Sequence, residues 1–187
     1  MYLQNKNIKS IVLIFLTSLF LAYSSYASQG DVHGRDLNIK NLGWIGHIGI
    51  EDAGGKVIEM LGDTTEKSDW GYDSNLFKKS KSSFKEASPY WGAKYWSLLN
   101  SNNHYWRVKD YMIPNAEFIR RVGADYTLTT IWNHPYPYKD FRGNYRIALG
   151  KYRCDTFVKS IYATGGVSFG NIVQLPKKIY DMLPDKR

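Results

Sequence analysis

Tyr152-Arg153-Cys154-Asp155-Thr156-Phe157-Val158-Lys159-Ser160-Ile161-Tyr162 holds the only cysteine among 187 residues. Behind it, Phe157, Val158, Ile161 and Tyr162 recur at helical spacing and Gly165-Gly166 interrupt the pattern, so a helix is expected to open at Cys154. A thiol in the first helical turn lies at the positive end of the helix dipole, among backbone N–H groups that have no helical partner. Both favour the thiolate, the form that attacks carbonyl carbon. The opposing reading is a small buried hydrophobe, the commonest fate of a lone cysteine.

The compartment bears on that choice. Lys6 and Lys9 precede a short apolar run over 11–22, and Ser25-Tyr26-Ala27 presents small residues where a signal peptidase reads. Residues 1–27 are therefore expected to be a secretory signal, with an uncleaved membrane anchor as the alternative. Ser28, not cysteine, follows the site, which argues against a lipid anchor there. No later run approaches spanning length. A periplasmic or secreted chain is expected, in which an unpaired cysteine risks oxidation unless it is used.

The remaining 28–187 fits one domain, expected to act as a monomer, with a formal net charge of +6 once the two signal lysines are removed from +8. That charge suits anionic surroundings such as cell wall, lipid head groups or acidic glycans. Its scatter along the chain and the compartment argue against nucleic acid.

A nucleophilic thiol needs a base and a group to orient it. Gly43-Trp44-Ile45-Gly46-His47-Ile48-Gly49-Ile50-Glu51 alternates as a strand, Asp52-Ala53-Gly54-Gly55 reads as a turn, and Lys56-Val57-Ile58-Glu59-Met60-Leu61 as the returning strand. On this hairpin Glu59 falls within cross-strand reach of His47, where a carboxylate would fix the imidazole tautomer. The opposing reading is a satisfied strand histidine and a solvated glutamate. His134, in the loop Asn133-His-Pro-Tyr-Pro-Tyr138, is the rival base.

Elsewhere 78–85 reads as a basic, serine-rich loop and 105–113 as a strand by alternation. Pro114 and 116–122 suggest a helix ending at Gly123, 125–132 a strand or extended segment, 172–175 a short strand and 176–183 a terminal helix. The four histidines, His33, His47, His104 and His134, lack ligand spacing, and one cysteine cannot build a thiolate cage. No metal and no cofactor is expected, since a phosphate-binding glycine loop is also missing.

The order of parts resembles the circularly permuted branch of the NlpC-like papain-fold cysteine hydrolases, the YiiX-like group related to the lecithin:retinol acyltransferase family. The residues that carry the likeness are the Gly46-His-Ile-Gly-Ile50 strand, the acid-bearing hairpin and Tyr152-Arg-Cys-Asp-Thr-Phe-Val158 opening a helix. As in that branch, histidine precedes cysteine. The resemblance implies an α+β fold, an antiparallel sheet packed against the helix that carries the cysteine. It implies Cys154 as nucleophile, His47 as base and Glu59 as orienter. Gly123-Ala-Asp-Tyr126 resembles the family's Gly-x-x-Tyr, making Tyr126 an oxyanion or substrate candidate with Tyr138 as rival. The family usually has serine where this chain has Asp155, an acid that would disfavour the thiolate if it faced sulfur. The expected activity is amide hydrolysis through a thioester, first in peptidoglycan peptides. Lipid acyl hydrolysis or transfer, and a non-catalytic wall- or glycan-binding module rich in Tyr and Trp, are the alternatives.

Overall fold

The computed structural model describes residues 28–37, 43–96, 99, 105–129, 131–170 and 175–186. The branched aliphatic residues Val32, Ile48, Ile50, Val57 and Ile58 lie in its first three strands. These are β1 (Val32–Arg35), β2 (His47–Glu51) and β3 (Lys56–Met60). The β2–β3 turn is pinned by Asp52, whose Oδ1 accepts from Gly54 N at 2.8 Å and Lys56 N at 2.7 Å. A short ribbon of β4 (Glu66–Lys67) and β5 (Asp73–Ser74) leads to β6 (Leu76–Ser80), then α1 (Lys81–Glu86) and β7 (Tyr90–Tyr95). A helical turn (Tyr105–Arg107) and a π-helical turn (Val108–Met112) run into α2 (Ile113–Val122). β8 (Ala124–Tyr126), β9 (Tyr136–Lys139), β10 (Tyr145–Ala148) and β11 (Gly150–Tyr152) precede α3 (Cys154–Thr164), and α4 (Pro176–Met182) and β12 (Asp185–Lys186) close the chain.

The main sheet has the order β12-β7-β1-β2-β3-β6, antiparallel throughout. The fold is therefore mixed α+β, with helices set on an antiparallel sheet. Strand alternation divides the sheet into two chemically different faces. Ile48, Ile50, Ile58 and Met60 join Phe157, Val158 and Ile161 of α3 in the main core. His47, Glu51, Val57 and Glu59 occupy the alternate positions, on the face where Phe84 of α1 packs against the His33 and His47 rings.

Several local expectations are corrected. Gly43–Ile45 forms a 3-10 turn, so the strand begins only at His47. Gly46 there has φ +81, and a Cβ on it would lie 1.9 Å from the Trp91 ring. Residues 105–113 are helical, not a strand, because Val108 and Met112 are buried at a four-residue spacing that outweighs their alternation. The expected basic loop becomes the end of β6 and α1, started by Ser80, whose Oγ accepts from Ser83 N at 3.1 Å. Of the strand expected over 125–132 only Asp125 and Tyr126 are in one, at the end of β8, and the Pro-rich loop contributes β9 to a hairpin. α2 starts with Pro114 in its first turn and ends before Gly123. The expected strand at 172–175 falls, up to residue 174, outside the described residues, as do His104 and the secretory signal expected at 1–27. No described helix is long and apolar enough to cross a membrane.

Candidate active site

Cys154 opens α3 as its periodicity suggests. Its entry is fixed by Thr156, whose Oγ1 accepts from Arg153 N at 2.8 Å. The helix lies on β2, and the Cys154 sulfur makes a hydrogen bond with the backbone of Ile48, the residue that follows His47. The cysteine is 4% exposed, within the main core. Burial pushes its thiol up to about 12, and Asp155 adds to the rise. The Ile48 contact and Arg153 pull in the opposite direction without matching it. The resting group is a neutral thiol.

Asp155 is not an isolated charge beside the sulfur. Arg153 grips it with two bonds, Nε to Oδ1 at 2.5 Å and the second terminal nitrogen to Oδ2 at 2.6 Å. This fork pairing accounts for a carboxylate that is 1% exposed at a helix start.

His47 and Glu59 meet on the other face of the sheet. Although Glu59 is in register with Gly49, one pleat along, its Oε2 lies 2.7 Å from His47 Nε2. A Cβ on Gly49 would come within 2.6 Å of Val57 Cγ1 and 2.8 Å of Ile58 O, so glycine lets the strands close at this point. Arg35 donates to the same Glu59 oxygen at 3.2 Å, and Lys79 Nζ lies 3.2 Å from Oε1 as an ion pair without hydrogen-bond geometry. Burial alone would push the carboxyl up. The His47 hydrogen bond and the charges of His47, Arg35 and Lys79 outweigh it and hold Glu59 down at about 2. Burial lowers the imidazole, prevailing over the support from Glu59. The pair is thus a neutral imidazole donating Nε2–H to a carboxylate. That tautomer leaves Nδ1 as the ring's proton acceptor.

The structure brings the thiol to β2 at Ile48, on the core face, while the His47 ring lies on the opposite face, and no hydrogen bond joins His47 to Cys154 among the described residues. Of the two tyrosines, Tyr126 stands in β8 alongside Tyr152 and within electrostatic range of Cys154. Burial, then Cys154, pushes its hydroxyl up to about 12, which keeps it a proton donor. Tyr138 stands on the exposed β9–β10 ribbon. His134 is committed elsewhere: its Nδ1 lies 2.9 Å from the Tyr152 hydroxyl, and burial lowers its basicity.

Sequence reasoning missed a second buried pair. His33 Nε2 is 2.7 Å from Glu51 Oε2, and His33 Nδ1 is 2.7 Å from the Tyr90 hydroxyl. Lys81 at 2.7 Å and Ser28 at 2.5 Å complete Glu51. It also missed Arg35. The signal for both was the two-residue step from His33 to Arg35 in Val32-His-Gly-Arg35, which puts them on the His47 face. Among the described residues, no group of three or more His, Cys, Asp or Glu could hold a metal ion.

Searches with this chain find no match among protein-family models, curated proteins or solved structures.

Proposed function

We propose that this chain is an exported cysteine hydrolase of permuted papain-like fold, cleaving amide bonds in peptidoglycan peptides. The single observation that carries the reading is the docking of the Cys154 helix terminus on β2, the strand whose other face carries a histidine that Glu59 already orients. Peptide cross-links of the wall are the favoured substrate for a basic chain carrying a leader-like segment.

In this mechanism a neutral pair suits general-base rather than ion-pair chemistry. As Cys154 sulfur attacks the carbonyl carbon, its proton passes to His47 Nδ1 and the carbonyl π pair moves onto oxygen. Glu59 supports the positive charge that develops on the ring. The Cys154 backbone N–H and the Tyr126 hydroxyl are the donors assigned to the oxyanion. Collapse expels the amine, which takes the proton from His47, and water then cleaves the thioester with the same ring as base. His47 is the first residue of β2 and its ring lies on the face away from Cys154, so this mechanism requires the imidazole to swing about the strand end when substrate binds.

A second reading, a non-catalytic wall-binding module, is favoured by the buried, neutral thiol. One experiment separates them. The chain from Ser28 onward, with Cys154→Ala and His47→Ala beside it, is incubated with purified muropeptides and then with phospholipids, and products are read by mass spectrometry. Cleavage of muropeptides that both substitutions abolish supports the hydrolase. Cleavage of phospholipid alone replaces the substrate class. Full activity in Cys154→Ala, or sacculus binding without cleavage, overturns the enzyme reading.

A further inference from the structure

β9 and β10 form a two-stranded sheet that pairs with no other described strand. Such a ribbon is marginal in water unless its turn is well built. Here it is. Asp140 Oδ1 accepts from Arg142 N and Asn144 N, both at 2.9 Å, and Asp140 N donates to Asn144 O at 2.9 Å. Gly143 takes φ +79, the left-handed conformation that lets the chain reverse.

This ordered turn holds Phe141 at its tip, 92% exposed. Tyr145 is 77% exposed beside it, and Tyr136 and Tyr138 face solvent along β9. Leu128 and Ile131, in the segment that precedes the ribbon in sequence, are 82% and 80% exposed. Isolated exposed apolar residues are ordinary, but an ordered turn that concentrates them marks an interaction surface. Each prominent ring also carries a cation. Arg142 lies 5.1 Å from the centre of Phe141, and Lys139 lies 5.0 Å from that of Tyr145. Arg146 sits opposite Tyr138 in the register and reaches Asp140 at 3.3 Å, so the one acid of the ribbon is already engaged.

We propose that the β9–β10 ribbon docks this protein on an anionic lipid surface, with Phe141 entering the headgroup–acyl boundary. Tyr and Phe rings suit that boundary, where one end of a side chain is apolar and the other wet. Lys139, Arg142 and Arg146 supply the charge complementarity, each worth roughly a fewfold in partitioning near an anionic surface. A protein partner would favour charges at the rim and rings at a packed centre. Here rings and cations alternate along a two-stranded ribbon, the distribution of an interfacial anchor. The inference does not depend on catalysis.

The test uses the chain from Ser28 onward, which contains every described element and lacks the apolar leader. Co-sedimentation is measured with vesicles of phosphatidylglycerol and phosphatidylcholine mixed in equal parts, and with phosphatidylcholine alone. The expected result is binding to the anionic vesicles that weakens at high salt. It should fall about tenfold or more in Phe141→Asp and in the double variant Arg142→Gln, Arg146→Gln. A Phe141→Trp variant should shift its emission to the blue on anionic vesicles only. These positions are exposed, and unchanged circular dichroism and melting would confirm that the variants fold. No sedimentation, equal binding to both vesicles, or binding that Phe141→Asp leaves intact overturns the proposal. Self-association through the ribbon without vesicle binding also overturns it, in favour of a second copy as the occupant.

Discussion

His47 Nε2 and Glu59 Oε2 stand 2.7 Å apart across two adjacent strands, both side chains almost wholly buried. The contact is diagonal, because Glu59 is in register with Gly49. A side chain at residue 49 would occupy the gap between the strands. The histidine tautomer therefore depends on a glycine as well as on an acid.

Acid should weaken this region in a defined window. Glu59 is held below its ordinary value, to about 2 from 4.5, so its contribution is complete above about pH 4.5 and lost as pH falls toward 2. That contribution is on the order of 3 kcal/mol. Glu59→Gln at neutral pH leaves Arg35 and Lys79 beside a neutral amide and should cost about 3–5 kcal/mol. Urea melts of both proteins between pH 2 and 7 should show the difference shrinking in acid, and a constant difference would refute the assignment.

Gly49→Ala should separate β2 from β3, since the new methyl meets Val57 and the Ile58 carbonyl. A loss of about 1–3 kcal/mol is expected. In the histidine NMR titration, His47 should move toward its ordinary value as water enters. Wild-type stability together with an unchanged titration would show that the strands do not close as described.

Phe84 roofs the polar face, with its ring 5.9 Å from that of His47 and 4.9 Å from the Arg35 guanidinium carbon. Phe84→Ala should cost about 3–5 kcal/mol. It should also raise the His47 pKa, because burial is the leading cause of its depression. Hydrogen exchange would read the same event as faster opening of β2 and β3.

The Cys154 thiol should alkylate slowly. With its ionisation near 12, iodoacetamide labelling at pH 8 should run at least roughly tenfold slower than for an ordinary thiol, and denaturant should abolish the difference. Asp155→Ser removes the second cause of the rise and should speed labelling, although Arg153 then loses its carboxylate. Rapid labelling of the native protein below neutral pH would contradict the neutral resting pair.

Much of this architecture is written in local pattern. The spacing of Phe157, Val158 and Ile161 specifies the helix behind Cys154, and apolar alternation around Asp52-Ala-Gly-Gly55 specifies the hairpin bearing His47 and Glu59. These features follow from periodicities of 3.6 and 2, which a chain carries in itself. Where both periodicities fit, as at 105–113, burial of Val108 and Met112 against distant residues settled the matter.

The electrostatic character of the site is a tertiary property. Nothing near Cys154 in sequence reveals that its sulfur would be buried against Ile48, or that Arg153 would grip Asp155. Arg35 on Glu59, the parallel His33–Glu51 pair and the preference for Tyr126 over Tyr138 depend on strands brought together from across the chain. Sequence thus determined which chemical groups are available and which element carries each. Only the folded structure decided their solvation and neighbours, because desolvation and charge pairing depend on distance in space, and residue spacing encodes distance only within one element.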